Sequence, residues 1–314
     1  MLECGGKLAG SALRFALVRI PERVECVPKL DTKSYSPWDE GERGLLSMKP
    51  KTACPVGQLL LGVVILFLAS VVARAQDNYE IQVYGSELVS PGVTMIELHN
   101  NFTVKGSKRP EDGTLPTHHA WHETLEITHG FNKWFETGFY LFTSARSGNG
   151  WDFVGTHIRP RFSVPKEKHW PVGVSISNEI GYQRRLYSPD TWSWEIRPIV
   201  DKDIKRWYLS FNPTLDRVLK GPGTKRGFEF SPNVKVSYAV TKKVIAGLEY
   251  YGGLGPIKHL DPFREQSQQI FPAIDLDLSP DWEFNFGVGV GLTRGSDHLI
   301  IKMIIGRRFV FKKK

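Results

Sequence analysis

Most of this chain lacks cysteine, and it also lacks any apolar run long enough for a membrane-spanning helix. The three cysteines are Cys4, Cys26 and Cys54, so residues 76–314 contain none. A secreted domain held together by disulfides is therefore excluded for that part of the chain. No stretch beyond residue 75 approaches the ~20 apolar residues that a spanning helix needs. If these residues cross a membrane, they must do so as β-strands.

Blocks of lysine and arginine are also missing, apart from the last three residues, Lys312–Lys314. The formal net charge is +8 for the whole chain and about +5 for residues 76–314, with both signs mixed along the sequence. Nucleic-acid binding would need a basic patch and a recognisable module. The sequence therefore predicts no nucleic-acid partner.

One apolar run is present, from Leu59 to Val72, and it is typical of a secretory signal peptide. It follows the basic stretch Met48–Lys51 and precedes an Ala73-Arg74-Ala75 cleavage pattern. The run is shorter than a spanning helix. We therefore predict that residues 48–75 are a cleaved signal peptide, the alternative being a retained anchor.

The stretch before this signal, residues 1–47, shows no sustained helical or strand period. Signal peptides stand at the start of a chain, so translation from Met48 would account for this stretch as an over-extended or disordered N-terminus. The alternative is a cytoplasmic tail.

Twelve segments with alternating apolar and polar residues follow, which is the pattern of strands with one apolar face. Between Trp282 and Leu292, for example, the even-numbered residues are apolar and the odd-numbered ones are polar or glycine. A soluble sandwich would alternate in the same way, but the export signal favours a barrel whose apolar face meets lipid. The predicted strands are 93–104, 119–128, 135–146, 152–164, 171–184, 191–201, 205–217, 226–238, 243–253, 269–278, 282–292 and 298–311.

The predicted fold is all-β, a single closed antiparallel transmembrane β-barrel of about twelve strands over residues 93–311. Alternate connections are short, and the other set includes two long ones, 105–118 and 254–268. Outer-membrane barrels have short periplasmic turns and longer extracellular loops. Residues 76–92 are predicted to be a lead-in that either lies in the periplasm or plugs the lumen.

Four tryptophans lie within or next to the short turns and are predicted to form an aromatic girdle at one membrane interface. They are Trp134, Trp170, Trp207 and Trp282.

Two features conflict with a regular barrel. Glu123 falls on the predicted outward face, where charge is disfavoured. Four prolines also fall inside predicted strands, where proline removes a ladder donor. They are Pro160, Pro198, Pro232 and Pro272, and we expect a kink or bulge at each.

The predicted final strand, which includes Gly306–Phe311, resembles the C-terminal signal that the barrel-assembly machinery reads in Gram-negative outer-membrane barrels. Gly306, Phe309 and Phe311 match that signal, although Lys312–Lys314 extend past its terminal aromatic residue. The stretches Phe228–Asn233 and Trp282–Gly289 are similar to outer-membrane transporters grouped under the phenol-degradation meta-pathway name. The resemblance implies passage of a small solute, and an aromatic or apolar solute is one candidate.

This interpretation predicts four kinds of partner: the secretory export pathway, the barrel-assembly machinery, outer-membrane lipid and a small-molecule solute. Charges of both signs on the inward face predict a polar pore with charge-tuned selectivity. The alternative is a structural barrel whose lumen is closed by ion pairs. The predicted lumen-lining residues are Arg159, Arg161, Glu179, Glu195, Arg197, Arg206, Glu229, Lys235, Glu249, Asp275, Asp277, Glu283, Lys302 and Arg308.

No enzyme, cofactor or metal site is predicted. His118 and His122 would point the same way on a strand but lie about 13 Å apart, too far to share an ion. The alternative enzyme is a lipid-hydrolysing barrel. Its best candidate motif, Ser147–Gly150, lacks the histidine that outer-membrane phospholipases carry two residues before the serine, and a nucleophilic serine needs a base within reach.

Overall fold

The computed structural model describes residues 78–148 and 150–310. The predicted N-terminal stretch 1–47, the signal peptide 48–75 and Phe311 lie outside the described residues. The described part contains two 3₁₀ turns, Lys166–Lys168 and Pro222–Lys225. No helix within it is long and apolar enough to cross a bilayer. Its strands are β1 (Val93–Lys105), β2 (Trp121–Asn132), β3 (Phe135–Arg146), β4 (Gly150–Ser163), β5 (Gly173–Gln183), β6 (Trp192–Ile204), β7 (Trp207–Lys220), β8 (Phe228–Ala239), β9 (Val244–Gly253), β10 (Ser267–Leu276), β11 (Trp282–Gly291) and β12 (Leu299–Val310).

The twelve strands within the described ranges form one closed antiparallel barrel. Each strand pairs with its neighbour in sequence, and β1 pairs with β12 from Val93 opposite Val310 to Thr103 opposite Ile300. Closure leaves no unpaired sheet edge, which a membrane requires. The prediction of a twelve-stranded closed barrel is confirmed, and every predicted strand boundary lies within four residues of the observed one.

Alternation places apolar side chains on the outside of the barrel and polar ones inside. Outward residues such as Phe139, Ile158 and Phe211 remain 43–50% exposed. Inward residues of the same strands, such as Arg159 and Asn212, are buried in the lumen. A continuous apolar outer surface is expected to face lipid hydrocarbon, because exposing so much apolar area to water is unfavourable.

The two ends of the barrel differ in their connections. At one end β2 joins β3, and β6 joins β7, through only two residues; we call this the short-turn end. The opposite end carries the connections 106–120 and 254–266, and we call it the long-loop end. Outer-membrane barrels have short periplasmic turns and longer extracellular loops, so we expect the short-turn end to be periplasmic and the long-loop end extracellular.

Exposed tryptophans surround both ends. The four that were predicted, Trp134, Trp170, Trp207 and Trp282, lie at the short-turn end and are 44–58% exposed. Three more, Trp121, Trp151 and Trp192, begin strands at the long-loop end and are 39–59% exposed. Indole rings favour the membrane–water interface. The barrel thus carries two aromatic rings at opposite ends of its apolar surface.

The in-strand prolines coincide with interruptions of the strand ladder. Pro160 is in register with β3, but β4 and β5 are unpaired between Ile158 and Arg161. Pro198 is paired with β5 but lies where β6 and β7 are unpaired. Pro272 is paired with β9 but lies where β10 and β11 are unpaired. Pro232 lies where pairing with β9 ends. A residue without an N–H is thus tolerated because one of its two ladders is absent there.

Glu123 does face outward, as predicted, and its depth explains why it is tolerated. It is half-buried, stands opposite Asn100 and Thr143, and follows Trp121 of the long-loop ring by two residues. Two strand residues span about 7 Å. The carboxylate therefore lies close to the headgroup level, where an outward charge costs little.

Candidate functional site: the barrel lumen

Residues 78–90, which we call the lumen segment, run through the inside of the barrel before the chain enters β1. At the long-loop end the Asn78 side-chain amide donates to Asp297 at 2.6 Å. At the short-turn end the Val89 N–H donates to Glu136, which lies at the start of β3, at 2.7 Å. The segment therefore extends along the length of the barrel.

Side chains of the barrel wall hold the backbone of the lumen segment, because the segment joins no strand ladder. The Tyr84 N–H donates to Asn212 at 2.8 Å, and the Tyr84 carbonyl accepts from Ser210 at 2.6 Å. Lys302 donates to the Ile81 carbonyl at 3.1 Å, and Thr124 donates to the Tyr79 carbonyl at 2.6 Å. Polar wall residues thus satisfy backbone groups that would otherwise be buried without partners.

The Tyr84 ring lies among three guanidinium groups in the middle of the lumen. The guanidinium carbons of Arg159, Arg197 and Arg161 lie 4.7, 4.8 and 5.6 Å from the ring centroid. The Tyr84 hydroxyl donates to Glu80 and lies 3.2 Å from the Tyr140 hydroxyl. Cation–π contacts of this kind strengthen when water is excluded, so Tyr84 is the principal anchor of the segment.

Apolar side chains of the segment enter two clusters on the lumen face. One cluster contains Ile81, Val83, Tyr251, Phe271 and Ile300. The other contains Tyr79, Tyr140, Phe142 and Val154. Inward aromatic residues would be exposed in an empty water-filled pore, so these clusters explain why the wall carries them.

Ion pairs join the lumen-facing charges of β2, β3 and β4. Arg159 donates to Glu126 at 2.6 Å and lies 3.8 Å from Glu136, while Arg161 lies 3.4 Å from Glu136. Arg161 also donates to the Gly85 carbonyl of the lumen segment. This network therefore binds the wall and the segment together.

A second network joins β8, β9, β10 and β12 on the opposite side. Glu249 pairs with Lys302 and lies 3.2 Å from Lys235, which also reaches Asp275 at 2.8 Å. Lys302 is fully buried. A buried ammonium is stable only when it is paired and hydrogen-bonded, and Glu249 with the Ile81 carbonyl provides those partners.

Four carboxylates form a row across adjacent strands on the remaining side of the wall. Glu179 stands opposite Glu195, Glu195 opposite Asp216, and Asp216 opposite Glu229. Like charges that face each other across strands are unfavourable. The row is compensated in part, because Arg197 binds Glu195 and Arg226 binds Glu229, at 2.8 and 2.6 Å.

This acidic row lines a cavity of about 730 Å³ at the long-loop end, which we call the vestibule. Its lining includes ten Asp or Glu residues and five Arg residues, together with Asn78, Tyr79 and Glu80 of the lumen segment. Tyr187 of the 184–191 loop also lines it and donates to Asp152 at 2.9 Å. Burial, followed by the hydrogen bond to Asp152, raises the pKa of Tyr187, so the phenol stays neutral.

The predicted lumen-lining residues occupy three kinds of position. Most of them are inside the barrel. The prediction that Arg206 lines the lumen is wrong, because this residue is exposed in the β6–β7 turn, where it donates to the Ala239 and Val240 carbonyls. Asp277 is also exposed, just past the end of β10. Extending strand alternation into the turns caused both errors. Glu283 and Arg308 pair at 3.0 Å and are each about one third exposed. The lumen residues are Arg159, Arg161, Glu179, Glu195, Arg197, Glu229, Lys235, Glu249, Asp275 and Lys302.

The predicted assembly signal is only partly described. Gly306 faces inward and is buried beside Met95 and Glu97, where a Cβ would overlap the Met95 side chain. Phe309 is half-buried. Close packing thus gives Gly306 a structural reason of its own, and its recognition by the assembly machinery stays a prediction.

Sequence reasoning left several lumen residues out of the predicted set. The most important are the lumen segment itself and Glu136, whose carboxylate binds both that segment and Arg161. A signal was available, because Tyr140, Phe142 and Phe271 have the inward parity of their strands. Large aromatic residues on the inner face of a pore indicate that something packs against them.

A closed twelve-stranded barrel with an apolar outer surface, two tryptophan rings and a charged lumen defines a transmembrane β-barrel of the bacterial outer-membrane class. Residues 158–298, just under half of the chain, match the family described as "Putative MetA-pathway of phenol degradation". The resemblance predicted from the sequence is confirmed over that stretch. No curated protein sequence matches the chain at a significant level.

Three solved barrels illustrate the likeness in structure. An outer membrane channel from Pseudomonas putida F1 has a TM-score of 0.48 and 9% identity, covering 73% of this chain and 100% of that one. The NanC porin has a TM-score of 0.44 and 10% identity, covering 69% and 100%. The KdgM porin in complex with disordered oligogalacturonate has a TM-score of 0.41 and 12% identity, covering 69% and 99%.

Proposed function

We propose that this chain forms an outer-membrane channel for passive passage of a small solute, with the lumen segment as its plug. The observation that carries the proposal is the vestibule, a cavity of about 730 Å³ whose lining includes Asn78, Tyr79 and Glu80 of that segment. A gated pore requires a polar cavity that leads from one end of the barrel to a segment that could move. The vestibule leads from the long-loop end to the lumen segment, which is not part of the sheet.

The charge of the vestibule favours a polar solute, with cations preferred over anions. Its lining holds ten carboxylate residues and five guanidiniums, and clefts lined by one sign of charge concentrate ions of the other sign. Such a lining suits an amine or an inorganic cation better than the aromatic or apolar solute that the family resemblance implied.

The attachment of the lumen segment suits a plug. Its backbone N–H and carbonyl groups are hydrogen-bonded to side chains of the barrel wall, and it belongs to no β-sheet. Displacing it would therefore leave every strand pair of the barrel intact. A rival function, a structural barrel with a permanently closed lumen, is favoured by the same dense contacts.

No enzymatic activity is part of this proposal. Ser147, the candidate nucleophile of the lipid-hydrolysing alternative, is exposed in the β3–β4 turn, and Asn149 of the same motif lies outside the described residues. Export through the secretory pathway and insertion by the barrel-assembly machinery remain part of the proposal.

The experiment that tests the channel is conductance of the purified protein in planar bilayers under a KCl gradient. We expect a reversal potential that reports cation preference, and we expect Asp216→Asn to move it toward zero because one carboxylate of the row is neutralised. Glu283→Gln is the matched control, since this acid lies at the short-turn end, outside the vestibule lining.

Three outcomes are possible. Cation preference that weakens only in Asp216→Asn supports the proposal. Anion preference in the wild type contradicts the proposed charge selectivity. Absence of both conductance and solute-driven liposome swelling, from protein that still shows the heat-dependent gel shift of a folded barrel, would leave the structural barrel as the better account.

A further inference from the structure

Three buried side chains converge on the lumen face of β1 and β2. Glu97 and His99 are two residues apart on β1, and Glu126 stands directly opposite Glu97 on β2. One donor atom from each of the three lies within 4.8 Å of the other two. His99 and Glu126 are both fully buried, and Glu97 is 7% exposed.

The hydrogen bonds around this cluster are incomplete. Arg159 and Thr128 both donate to the Oε1 atom of Glu126, at 2.6 and 2.7 Å. The Oε2 atom of Glu126 and the Nε2 atom of His99 have only each other within reach, at 3.3 Å, and the Nδ1 atom of His99 is buried without a hydrogen-bond partner among the residues that the structure describes. Buried polar atoms of this kind are rare because each costs free energy.

A cation bound between these three side chains would satisfy them. Two carboxylates that face each other across strands repel, and Arg159 already binds the other oxygen of Glu126. His99 Nε2 lies 3.3 Å from Glu126 Oε2. Two ligands of a tetrahedral ion with bonds of about 2.1 Å are separated by about 3.4 Å. This pair therefore already has the separation of two ligands on one ion.

We propose that Glu97, His99 and Glu126 form a divalent metal site of the zinc class on the β1–β2 wall. One imidazole and two carboxylates are donors that suit borderline ions such as Zn²⁺. A water would complete four coordination, as in sites with three protein ligands. The ion would neutralise the facing carboxylates and hold β1, the strand into which the lumen segment leads.

The test uses the purified full barrel in detergent with Zn²⁺ as the probe, measured by metal content after dialysis and by titration calorimetry. Wild type is expected to retain one Zn²⁺ per chain at this site. Glu97→Gln and His99→Gln each replace a ligand, so each is expected to weaken its affinity by more than the roughly 10- to 100-fold that loss of an outer-shell partner costs. Co²⁺ substitution gives a second readout, because the visible spectrum reports a four-coordinate N/O site.

His122→Gln is the matched control. This histidine is equally buried, faces the lumen and lies on the same strand as Glu126, so its loss should leave the affinity unchanged. Unchanged Zn²⁺ binding in both Glu97→Gln and His99→Gln, or no binding by the wild type, would overturn the proposal. Loss of binding only when His118 and His119 of the β1–β2 loop are replaced would identify an adventitious ion. Glu97→Gln preserves side-chain shape, so it carries the test if His99→Gln fails to fold.

Discussion

The anchoring of Tyr84 gives the most direct prediction of the plug model. Replacing Tyr84 with alanine removes a ring that contacts three guanidiniums at 4.7 to 5.6 Å and also removes the bonds of its hydroxyl. Truncation of a buried aromatic side chain costs about 3–5 kcal/mol. The backbone bonds of residue 84 to Asn212 and Ser210 should survive. The substitution is therefore expected to lower the free energy that retains the segment in the lumen, and to leave the strand pairing of the barrel unchanged.

The expected change follows from that free energy. Each 1.4 kcal/mol is a factor of ten in an equilibrium, so the ratio of retained to displaced segment should fall by roughly two to three and a half orders of magnitude. Single-channel recording should report this as a higher open probability in Tyr84→Ala. Tyr84→Phe keeps the ring contacts and loses one hydroxyl, at about 1 kcal/mol, so its effect should be about fivefold.

A second readout uses the absence of cysteine after residue 75. Val83→Cys places a thiol on a buried residue of the segment, and its reaction with a maleimide should accelerate when Tyr84→Ala is added. Equal open probabilities for Tyr84→Ala and wild type, or an unchanged labelling rate, would refute the reasoning. Equal effects of Tyr84→Ala and Tyr84→Phe would refute the part assigned to the guanidinium contacts.

Three further predictions concern the barrel itself. Gly289→Ala places a Cβ against the Phe271 ring and should destabilise the barrel by about 1–3 kcal/mol, seen as a lower temperature for the heat-dependent gel shift; the double change with Phe271→Leu should recover part of the loss. Ile127→Arg, in the middle of β2 on the lipid face, should cost about 2–4 kcal/mol, whereas Glu123→Arg near the interface should cost about 0–1 kcal/mol; equal costs in urea unfolding would contradict the assigned depths. Lys302→Met should cost about 1–3 kcal/mol, since it removes one of the two ammonium partners of Glu249 and leaves the Ile81 carbonyl without its donor. An unchanged stability in the same assay would argue against the pairing.

Strand positions were predictable because alternation is a local property. The period of two between Trp282 and Leu292 predicts a strand with no knowledge of its neighbours, and tryptophans at the turns indicate the membrane level. The ladder gaps at Pro160 and Pro198 could not be located in the same way, since a missing pair depends on both strands.

The lumen was less predictable because its contacts join residues far apart in sequence. The Ile81 carbonyl meets Lys302 across 221 positions, and the Tyr84 N–H meets Asn212 across 128. The sequence could indicate that residues 76–92 either plug the barrel or lie outside it. The choice depends on hydrogen bonds with wall side chains of seven strands, which no local pattern encodes.

The position of Glu80 on the lumen segment has an electrical consequence if that segment acts as the plug. Its carboxylate lies 3.4 Å from Arg197, and it belongs to the segment, so it would leave the lumen whenever the segment leaves. Withdrawal would then uncover the guanidiniums that surround Tyr84 and remove an anion from beside one of them. A solute drawn in by the negative mouth would next meet guanidiniums that stay paired with Glu126, Glu136 and Glu195 of the wall. Such a ring of fixed ion pairs presents both signs of charge to the solute at close range.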